Sequence, residues 1–479
     1  MSPVGIKSYG AYIPRSRMDR AAIAAAHAWA LPALKALGRG ERAFANWDED
    51  SITMSVEATR ACLASVPSDS VASLMFASTT APFSDLGNAG VVAAAAGLSS
   101  EVMTLDVGGS LRAGTSALIR ALQSNGSGDT VVVSADNRMA KPGSVQELQY
   151  GAGSFAMRVG GGPTIAHLVG AVSSARQLID HFRAAGEKYD YHWEERWVRD
   201  EGYLKIVPET VGRLLRDTGM SAQAIDYFCL PVTISGISSA VARAMGIKPE
   251  AVVDNLMAKC GDTGTPHPLM MLGAALEQAG PGRNLLVVGF GGGCDALLFK
   301  TTDAIAAYRS ACPVSAALAR GTTENNYTKL LSFADEIGLD WGMRAETDAK
   351  TALTQLYRAQ DQVMRFTGGK CQSCGTIQFP RLPSCVNCGS TEPQTPHCLA
   401  DEPAKVATFT ADWLMFYPAP PLYVGLVQFE NGARVLMEMV DVDPSRFDVG
   451  VPLRMVFRIK EKDGRRHYNR YFWKAAPHS

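Results

Sequence analysis

Two pairs of cysteines with identical spacing are the strongest chemical signal in this sequence. Cys371 and Cys374 form one Cys-x-x-Cys pair and Cys385 and Cys388 form the second, with ten residues between the pairs. Each pair fits a tight turn that presents two thiolates, and four thiolates complete a tetrahedral shell around Zn²⁺. Because this shell leaves no position for water, the spacing predicts a structural zinc ion whose binding helps a small ribbon to fold.

A turn that could hold a nucleophile lies in GGSLRAGTSALIRAL, from Gly108 to Leu122. The glycines favour a tight turn and the run after them favours a helix, so the stretch would bring side chains to a helix N-terminus. The positive end of a helix stabilises a thiolate, yet this stretch contains no cysteine. Its Ser110 is a weak nucleophile unless a base reaches the hydroxyl.

A general base is the second requirement of such chemistry, and KCGDTGTPHPLMML offers Asp262 and His267. A histidine at the start of a helix is held neutral by the positive end of the dipole, so it can accept a proton near pH 7. A histidine in a turn is also often a structural hydrogen-bond donor. The residues alone leave both roles open.

Composition places these residues in an ordinary globular protein. The 479 residues are 47% hydrophobic, and 46 basic residues balance 47 acidic ones, so we expect no nucleic-acid or membrane-surface role. The longest apolar run, GVVAAAAGL, is well short of the ~20 residues that span a bilayer, and the N-terminus has no signal-like pattern. Six of the ten cysteines are spread singly, which suits reduced thiols and a cytoplasmic protein.

The two turns recur within the same order of elements. A buried-strand pattern at 71–82, a turn opening a helix at 109–122 and a second buried strand at 129–136 return as 225–236, 260–278 and 284–293. Strands that alternate with alanine-rich helices over residues 1–300 predict a layered α/β fold. Two similar halves packed face to face would bring both turns to one central site.

The pattern changes twice after residue 301. Residues 302–365 have helical patterns with charged faces and are predicted to form a connector. Residues 366–395 hold the cysteine ribbon, and 396–479 alternate short strands with turns of Gly, Pro, Asn and Asp. The five strand patterns begin at Lys405, Pro421, Arg434, Pro452 and His467, which favours a small β-barrel of the OB type.

Residues 1–301 resemble the thiolase superfamily and, within it, the 3-hydroxy-3-methylglutaryl-CoA synthase branch. The stretches that carry the resemblance are GIKSYGAYIPRSRMDR, GERAFANWDEDSITMSVEA, RAGTSAL, YGAGSFAM and VVGFGGGCDALLF. It implies a five-layered α/β/α/β/α fold with halves of about 1–165 and 166–301, a homodimer, and chemistry at carbon–carbon bonds beside a thioester. The C-terminal part resembles the zinc-ribbon and OB-fold proteins that accompany thiolases, which implies help in holding CoA.

The same resemblance shows where the usual catalytic groups are missing. The family's nucleophilic cysteine lies four residues before the threonine of the Gly-Thr turn, and counting back from Thr115 gives Leu111. Leucine cannot be acylated. The family's glutamate base after the first buried strand corresponds to Thr79, and its histidine after IDYF corresponds to Cys229.

Two residues could replace part of the lost chemistry. The His-Pro pair at His267 resembles the catalytic histidine motif of thiolases, which favours its role as a base. Cys229 follows an apolar strand and, by the repeat, is expected to face the central cleft. It would act there as a relocated nucleophile, or simply be a small buried hydrophobic residue.

The remaining candidates lie near the strand ends and turns. Gly292 and Gly293 fall where the family's strand end approaches the reacting carbonyl, so their N–H groups could form part of an oxyanion hole or a plain glycine turn. Arg112 could bind a carboxylate or a CoA phosphate, or be a solvated helix-start residue. Cys260 and Cys294 are weaker candidates for a nucleophile, and the cysteines expected only to pack are Cys62, Cys312 and Cys398.

Three functions remain open on these grounds. With leucine at position 111, the CoA thiol could itself attack the ketone of a β-keto acid or β-ketoacyl-CoA, with His267 as base, in a retro-Claisen cleavage that yields a new acyl-CoA. Covalent catalysis could instead move to Cys229 or Cys260, giving a ping-pong acyltransferase or condensing enzyme. The chain could also be a non-catalytic acyl-CoA-binding subunit. We expect the first. The aromatic residues of loop 186–203 could line an aryl-acyl site or pack the dimer surface.

Overall fold

The computed structural model describes residues 3–64, 66–124, 128–344 and 351–478. The chain divides into two compact units. The first unit comprises residues 1–46, 50–93 and 98–330, and the second comprises 47–49, 94–97 and 331–479. No helix in the described ranges has the length and apolar character needed to cross a membrane.

The first unit contains the strands and helices that build the layered α/β part of the chain. Its strands are β1 (Val4–Tyr12), β2 (Ser16–Asp19), β3 (Glu41–Ala43), β4 (Val71–Ala77), β5 (Met103–Val107), β6 (Asp129–Asn137), β7 (Ala152–Gly161), β8 (Ala166–Ala175), β9 (His181–Phe182), β10 (Tyr191–His192), β11 (Tyr227–Cys229), β12 (Asn284–Phe290), β13 (Gly293–Thr301) and β14 (Thr322–Glu324). The helices lying wholly or mainly in it are α1 (Arg20–His27), α2 (Ser51–Cys62), α3 (Asn88–Ala95), α4 (Ala113–Gln123), α5 (Val145–Gln149), α6 (Glu195–Trp197), α7 (Val207–Thr218), α8 (Ile237–Met245), α9 (Met257–Cys260), α10 (His267–Gln278), α11 (Val314–Ala319) and α12 (Tyr327–Phe333).

The largest sheet has the same topology in its two halves. Its order, over the described residues, is β11-β12-β13-β8-β1-β7-β6-β4-β5. In the first half β4 is parallel to its neighbours β5 and β6, while β7 is antiparallel to its neighbours β6 and β1. In the second half β11 is parallel to β12, and β13 is antiparallel to its neighbours β12 and β8, as β7 is to β6 and β1. An isolated parallel bridge from Phe228 to Val252 stands where the first half has β5. The two similar halves expected from the sequence repeat are present.

Helices α4 and α10 lie in the core shared by both halves. Leu118 of α4 and Leu272 of α10 belong to one buried cluster, together with Val132 of β6 and Val287 of β12. The two helix starts approach so closely that a Cβ on Gly114 would lie 2.6 Å from the carbonyl oxygen of Thr265. A side chain there would collide with the opposite turn, so glycine is required and the two turns meet as predicted.

The second unit contains helices α13 and α14, a small sheet and a barrel. Its elements are α13 (Leu353–Arg358), α14 (Gln360–Met364), β15 (Thr367–Lys370), β16 (Ile377–Gln378), β17 (Thr395–Cys398), β18 (Ala404–Asp412), β19 (Leu422–Phe429), β20 (Arg434–Met439), β21 (Pro452–Asp463) and β22 (Tyr468–Pro477). Strands β18 to β22 close into a barrel of order β18-β19-β20-β22-β21. These are the five strands predicted from the turn and alternation pattern.

The predicted connector at 302–365 holds more than helices. Strand β14 pairs in parallel with β2, and Arg17 of β2 donates to the carbonyl oxygen of Ala317. Residues 345–350 of the predicted connector lie outside the described residues. The domain boundaries that we predicted from the sequence stay predictions.

Candidate active site and metal centre

A cleft of about 220 Å³ lies in the first unit where the two turns meet. The first turn contributes Leu111, and the second turn, residues 261–266, contributes Asp262 and Gly264. His267, the first residue of α10, also lines the cleft. The structure therefore brings Leu111, Asp262 and His267 together, as the repeat predicted.

Asp136 at the end of β6 connects the second turn to the end of β4. One carboxylate oxygen accepts hydrogen bonds from the backbone N–H of Thr79 at 2.7 Å and from Ser78 and Thr80. The other accepts from the backbone N–H of Thr265 at 2.8 Å. This buried carboxylate fixes the strand end and the turn, so the cleft is held by rigid elements.

His267 is fully buried and both of its ring nitrogens are engaged. Nδ1 accepts from the backbone N–H of Thr263 at 3.1 Å, and Nε2 lies 2.6 Å from the carbonyl oxygen of Asn255. These partners define a neutral ring with its proton on Nε2. Burial lowers the pKa of His267, although the charge of Asp262 opposes this shift. The lowered pKa keeps the ring neutral. Acting as a base would require Nδ1 to leave Thr263, a constraint that the sequence did not reveal.

Asp262 is paired with a buried arginine rather than directed at a substrate. Arg138 Nη2 donates to Asp262 Oδ2, and the guanidinium lies 3.8 Å from the centre of the Tyr150 ring. Burial opposes ionisation of Asp262, but the charge and hydrogen bond of Arg138 and the backbone N–H of Gly264 lower its pKa overall. Asp262 Oδ1 is 3.9 Å from His267 Nδ1. It therefore acts on the histidine electrostatically, as a positioning group.

Ser110 lies beside Leu111 but is not prepared for nucleophilic attack. Its Oγ donates to the carbonyl oxygen of Gly291 at 2.6 Å and accepts from the backbone N–H of Arg112 at 3.3 Å. A hydroxyl that donates to a carbonyl has no base to take its proton. The structure thus gives Ser110 a role in holding the first turn against the β12–β13 connection, and the nucleophile role predicted for it is not met.

Arg112 is a structural cation, which corrects both roles considered from the sequence. Its Nη1 lies 2.9 Å from Asp295 Oδ1, and its Nε donates to the carbonyl oxygen of Gly291 at 3.1 Å. Asp295 is fully buried and also accepts from Thr115 and Ser116 of α4. Because the guanidinium is used within the protein, Arg112 is neither a phosphate ligand nor a solvated side chain.

The glycine run at the start of β13 divides between two environments. Gly291, Gly292 and Gly293 have φ of 156°, 55° and 135°, a backbone that other residues rarely adopt. Gly292 lines a second cavity, whereas Gly293 is a ladder position opposite Ala175 of β8. Of the two glycines predicted for an oxyanion hole, Gly292 is the one that reaches a cavity. The oxyanion role itself stays a prediction.

The single cysteines proposed as nucleophiles lie in the core. Cys229, Cys260 and Cys294 are each fully buried, and burial raises the pKa of Cys260 and of Cys294 to about 12 and that of Cys229 further. None of the described residues lining either cavity is a cysteine. The expectation that Cys229 faces the cleft is corrected: β11 is three residues long, and Pro231 after it lines the cleft instead.

The three cysteines expected to pack differ among themselves. Cys62 is buried, with Ser8 as its neighbour, and Cys312 is partly buried beside Arg320. Cys398 is exposed on β17, so its assignment to the core was wrong. A single strand residue carries no periodic signal that would have shown which way it points.

A second cavity of about 930 Å³ adjoins the cleft. Its walls include Thr79, Ser110 and Gly292 together with the segment 178–187. Among the described residues, Asp180 and His181 are the two that line both the cleft and this cavity. Thr79, at the position where the resemblance places a glutamate, thus faces a cavity that contains an imidazole.

A polar cluster at the cleft was missed by the sequence reasoning. Tyr150 donates its hydroxyl hydrogen to Asp190 Oδ2 at 2.8 Å and contacts His192 Nε2. His181 Nδ1 lies 3.0 Å from Asp180 Oδ2, and the two imidazole rings are stacked 5.8 Å apart. Strands β9 and β10 place His181 opposite His192. These strands are two residues long, too short for a periodic signal, although the aromatic loop 186–203 did point to this region.

The four ribbon cysteines have the geometry of a zinc site. Their Sγ atoms lie within 4.8 Å of one another, with 3.7 Å between Cys371 and Cys388 and 3.6 Å between Cys374 and Cys385. A Zn–S bond of ~2.3 Å in a tetrahedron gives sulfur separations of about 3.8 Å, so the cluster fits the ion. Gly375 and Gly389 follow the second cysteine of each pair at φ of 75° and 72°, closing two equivalent turns.

Comparison with known proteins assigns both parts of the chain. The family model of the 3-oxoacyl-[acyl-carrier-protein] synthase III C-terminal domain matches residues 215–300. The rubredoxin-like zinc ribbon of ChsH2 matches 362–394, and the ChsH2 C-terminal OB-fold domain matches 400–458. The zinc ribbon and OB-fold predicted from the sequence are confirmed.

The curated relatives are similar to most of the first unit. The hydroxymethylglutaryl-CoA synthase of Methanopyrus kandleri is 29% identical over 320 residues, 65% of this chain and 91% of that protein. That of Aeropyrum pernix is 31% identical over 313 residues, 64% of this chain and 86% of that protein. The chain belongs to the hydroxymethylglutaryl-CoA synthase family. It is therefore an acyl-transferring, condensing-type enzyme of the thiolase superfamily, as predicted.

Solved structures confirm the thiolase-like fold of this hydroxymethylglutaryl-CoA synthase family member. MvaS in complex with 3-hydroxy-3-methylglutaryl coenzyme A has a TM-score of 0.59 and 17% identity, covering 69% of this chain and 92% of that chain. The HMG-CoA synthase PksG from Bacillus subtilis has a TM-score of 0.59 and 15% identity, covering 70% and 89%. At this identity the likeness concerns the fold.

The first turn of this chain differs from the pattern that the sequence resemblance implies for the hydroxymethylglutaryl-CoA synthase family. Leu111 occupies the place that the resemblance gives to the nucleophilic cysteine, and Thr79 that of the glutamate base. The structure has the cleft, with three imidazoles on its walls, and offers no thiol on the described cavity walls.

Proposed function

We propose that this enzyme transfers acyl groups to CoA by cleaving a carbon–carbon bond of a β-keto acid or β-ketoacyl-CoA, with the CoA thiol as nucleophile. The observation that carries the proposal is Leu111, which lines the cleft where the family's cysteine is expected. A leucine cannot be acylated, but its apolar side chain lines the space of the cleft beside the turn. An external thiol can occupy that space, provided that a base takes its proton.

The proposed reaction balances without any further reactant. A base removes the CoA thiol proton, the sulfur forms a bond with the keto carbon, and the bond from that carbon to its α-carbon breaks. The electron pair goes to the α-carbon, which takes up the proton that the thiol released. The products are a new acyl-CoA and a smaller acid or thioester, with no change in total oxidation state.

The chain's own residues would supply binding, proton transfer and charge stabilisation. His181, His192 and His267 all line the cleft and are candidates for the base. Gly292, which lines the adjoining cavity, is the candidate oxyanion donor, since its positive φ permits a backbone N–H to approach a ligand closely. Donors of this kind lower the barrier only when they are fixed in place, as the Asp136 hydrogen bonds fix the adjacent strand end.

The ribbon cysteines would hold a structural zinc ion. A shell of four thiolates leaves no open position, so the ion would stabilise the ribbon and take no part in acyl transfer. Thiols must stay reduced for this purpose, which favours a cytoplasmic setting.

A homodimer through the first unit is the assembly that the sheet favours. Strand β5 is an edge strand, and Met103 and Leu105 on it are 56% and 44% exposed. Exposed apolar edge strands are templates for pairing with another chain. Leu105→Lys should turn a dimer into a monomer in size-exclusion chromatography with light scattering, while Leu436→Lys on the barrel, a leucine that is 68% exposed, should not. A monomeric wild-type chain would refute this assembly.

Product formation from a panel of substrates tests the proposed function. The full chain is incubated with aliphatic and aryl β-keto acids and β-ketoacyl-CoAs, with and without CoA, and products are identified by liquid chromatography and mass spectrometry. We expect a shortened acyl-CoA that forms only when CoA is added, together with an equal amount of the smaller fragment. Absence of turnover across the panel would instead support the non-catalytic acyl-CoA-binding subunit.

A further inference from the structure

We propose that Asp180 and His181 form the proton-accepting pair of this enzyme, in which His181 takes the thiol proton through Nε2 and Asp180 holds the ring. The inference rests on the proposed function, because it names the base for that reaction. It assigns a role to two residues of a loop region that no sequence motif marked.

The hydrogen bond between the two residues prepares the imidazole. His181 Nδ1 lies 3.0 Å from Asp180 Oδ2, so a neutral ring carries its proton on Nδ1 and its lone pair on Nε2. Within the described part of the chain, no hydrogen-bond partner occurs at His181 Nε2. The side chains of His181 and Asp180 are 16% and 13% exposed, so the pair is shielded yet reachable from the cavities.

The position of the pair is as informative as its geometry. Asp180 and His181 line both the cleft, with Leu111, and the larger cavity, with Thr79 and Gly292. These are the places where the resemblance puts the nucleophile, the glutamate base and the oxyanion glycine. An imidazole at the junction of the two cavities can therefore replace the base that Thr79 does not supply.

The other imidazoles of the cleft are less suited to this task. His267 has its Nδ1 lone pair engaged by Thr263 and its Nε2 directed at the Asn255 carbonyl oxygen. His192 contacts the Tyr150 hydroxyl, and desolvation is the largest cause that lowers the pKa of His192 to about 4, which makes it a weak base. His181 alone among the three combines a carboxylate partner with a lone pair that no described residue uses.

The surroundings support an ionised Asp180. Burial opposes its ionisation, but the hydrogen bond from the His181 side chain and hydrogen bonds from backbone N–H groups lower the pKa of Asp180 overall. An ionised carboxylate stabilises the imidazolium that forms when His181 accepts a proton. Among the described residues, the charged and titratable groups that share these walls with the ring are the cations Arg138 and Arg183, the carboxylates Asp106, Asp180, Glu187, Asp190, Glu195 and Asp262, the imidazoles His192 and His267, and the phenols Tyr150 and Tyr203.

The proton follows a closed path. His181 Nε2 accepts it from the CoA thiol as the sulfur attacks the keto carbon. After the carbon–carbon bond breaks, the imidazolium returns the proton to the α-carbon of the departing enolate. In the reverse direction the same nitrogen removes an α-proton from the smaller thioester, so exchange of that proton with solvent reports on His181 without requiring CoA attack.

Two readouts on four variants test the pair. His181→Gln, His192→Gln, His167→Gln and Asp180→Asn are compared with the wild type for cleavage turnover and for deuterium uptake at the α-carbon of acetyl-CoA in heavy water. His181→Gln should lower both rates ~10²–10⁴-fold, the range typical of general-base loss, with an unchanged circular dichroism spectrum. His192→Gln tests the competing imidazole on the opposite strand and should lower both rates by a smaller factor than His181→Gln does. The matched control is His167→Gln on β8, which lines neither cavity and should keep both rates within about tenfold, below the loss that removal of a general base produces.

Asp180→Asn gives a readout that a purely structural role would not move. Loss of the carboxylate removes the negative charge that favours the imidazolium. The acidic limb in the pH profile of cleavage turnover should therefore shift to lower pH. Free imidazole should partly restore turnover to His181→Ala, since it can enter the space left by the ring.

Each result supports or overturns a distinct statement. Retention of both rates in His181→Gln would overturn the pair as the base, and loss of both in His192→Gln alone would transfer the role to that residue. Deuterium uptake that depends on His181, without any CoA-dependent cleavage, would support the pair and overturn the proposed function. A wild-type enzyme with neither activity would overturn both.

Discussion

Arg112 and Asp295 form an ion pair that joins the two halves of the first unit, with 2.9 Å between Nη1 and Oδ1. Arg112 precedes α4 in the first half, and Asp295 belongs to β13 in the second. The carboxylate is fully buried, so it depends on this cation and on the hydroxyls of Thr115 and Ser116. The first turn is thus held in place by the half that it faces.

Removing the arginine should destabilise the protein without weakening CoA binding. Arg112→Met leaves a buried carboxylate without its cation, a change that costs about 3–5 kcal/mol of unfolding free energy. Chemical denaturation measures this loss. Arg176→Met, which removes an exposed ion pair with Glu209, should cost at most about 1 kcal/mol. A large rise in KM for CoA in Arg112→Met, with unchanged stability, would restore the phosphate-binding role.

The buried single cysteines should be dispensable for turnover. Cys229→Ala, Cys260→Ala and Cys294→Ala each remove a thiol whose pKa burial has raised, so no thiolate nucleophile is lost. We expect rates within about twofold of wild type and a stability loss of about 0.5–3 kcal/mol from imperfect repacking. Turnover assays together with thermal unfolding distinguish the two effects. A folded Cys229→Ala protein without activity would establish a relocated nucleophile.

The buried histidine of the second turn should make stability depend on pH. Burial sets the pKa of His267 below 6.5 in the folded protein, whereas the unfolded chain accepts a proton near 6.5. As the pH falls below 6.5, the unfolded state therefore binds the additional proton and stability decreases. The measurement is denaturant unfolding between pH 8 and pH 5.

The matched variant for this pH effect is His267→Gln. It should lower the unfolding free energy at pH 8 by about 1–3 kcal/mol, because two hydrogen bonds of a buried ring are lost. The unfolding free energy of this variant should also decrease less toward low pH than that of the wild type, because the variant lacks the histidine whose pKa is lowered in the folded state. Equal slopes for the two proteins would show that His267 is protonated alike in folded and unfolded states.

Zinc should be present at one ion per chain, and only the ribbon should need it in order to stay folded. Metal analysis of Cys371→Ser should show loss of the ion, because three thiolates bind zinc less tightly than four. Cys398→Ser, an exposed cysteine outside the cluster, should keep it. In the cysteine-ligand variant, limited proteolysis should cut within residues 366–395. Full zinc content in Cys371→Ser would contradict the four-thiolate site.

The elements that the sequence predicted are those with local signals. Two Cys-x-x-Cys pairs, alternating strands separated by turn residues, and Gly-rich turns before helices all act over a few residues, and the structure contains each of them. The meeting of the two turns was also predictable, because the repeat of element order implies pseudo-symmetry, and Gly114 against Thr265 shows the contact.

The parts that escaped prediction depend on long-range partners. Arg112 could not be paired with Asp295 from the sequence, since 183 positions separate them. The direction of Cys229 depends on where a three-residue strand ends, and a shift of one residue reverses a side chain. Asp180 lies in the loop before β9, and His181 is the first residue of that two-residue strand, where no periodicity marks a role.

The most direct test of the central claim is the mass of the intact enzyme during turnover with a β-ketoacyl substrate, with and without CoA. We expect an unmodified wild-type chain and an acyl-CoA product that requires CoA. Leu111→Cys serves as the positive control, because its new thiol at the helix N-terminus should gain the acyl mass. An acyl adduct on the wild-type chain that forms without CoA and disappears when CoA is added would contradict direct attack by the CoA thiol.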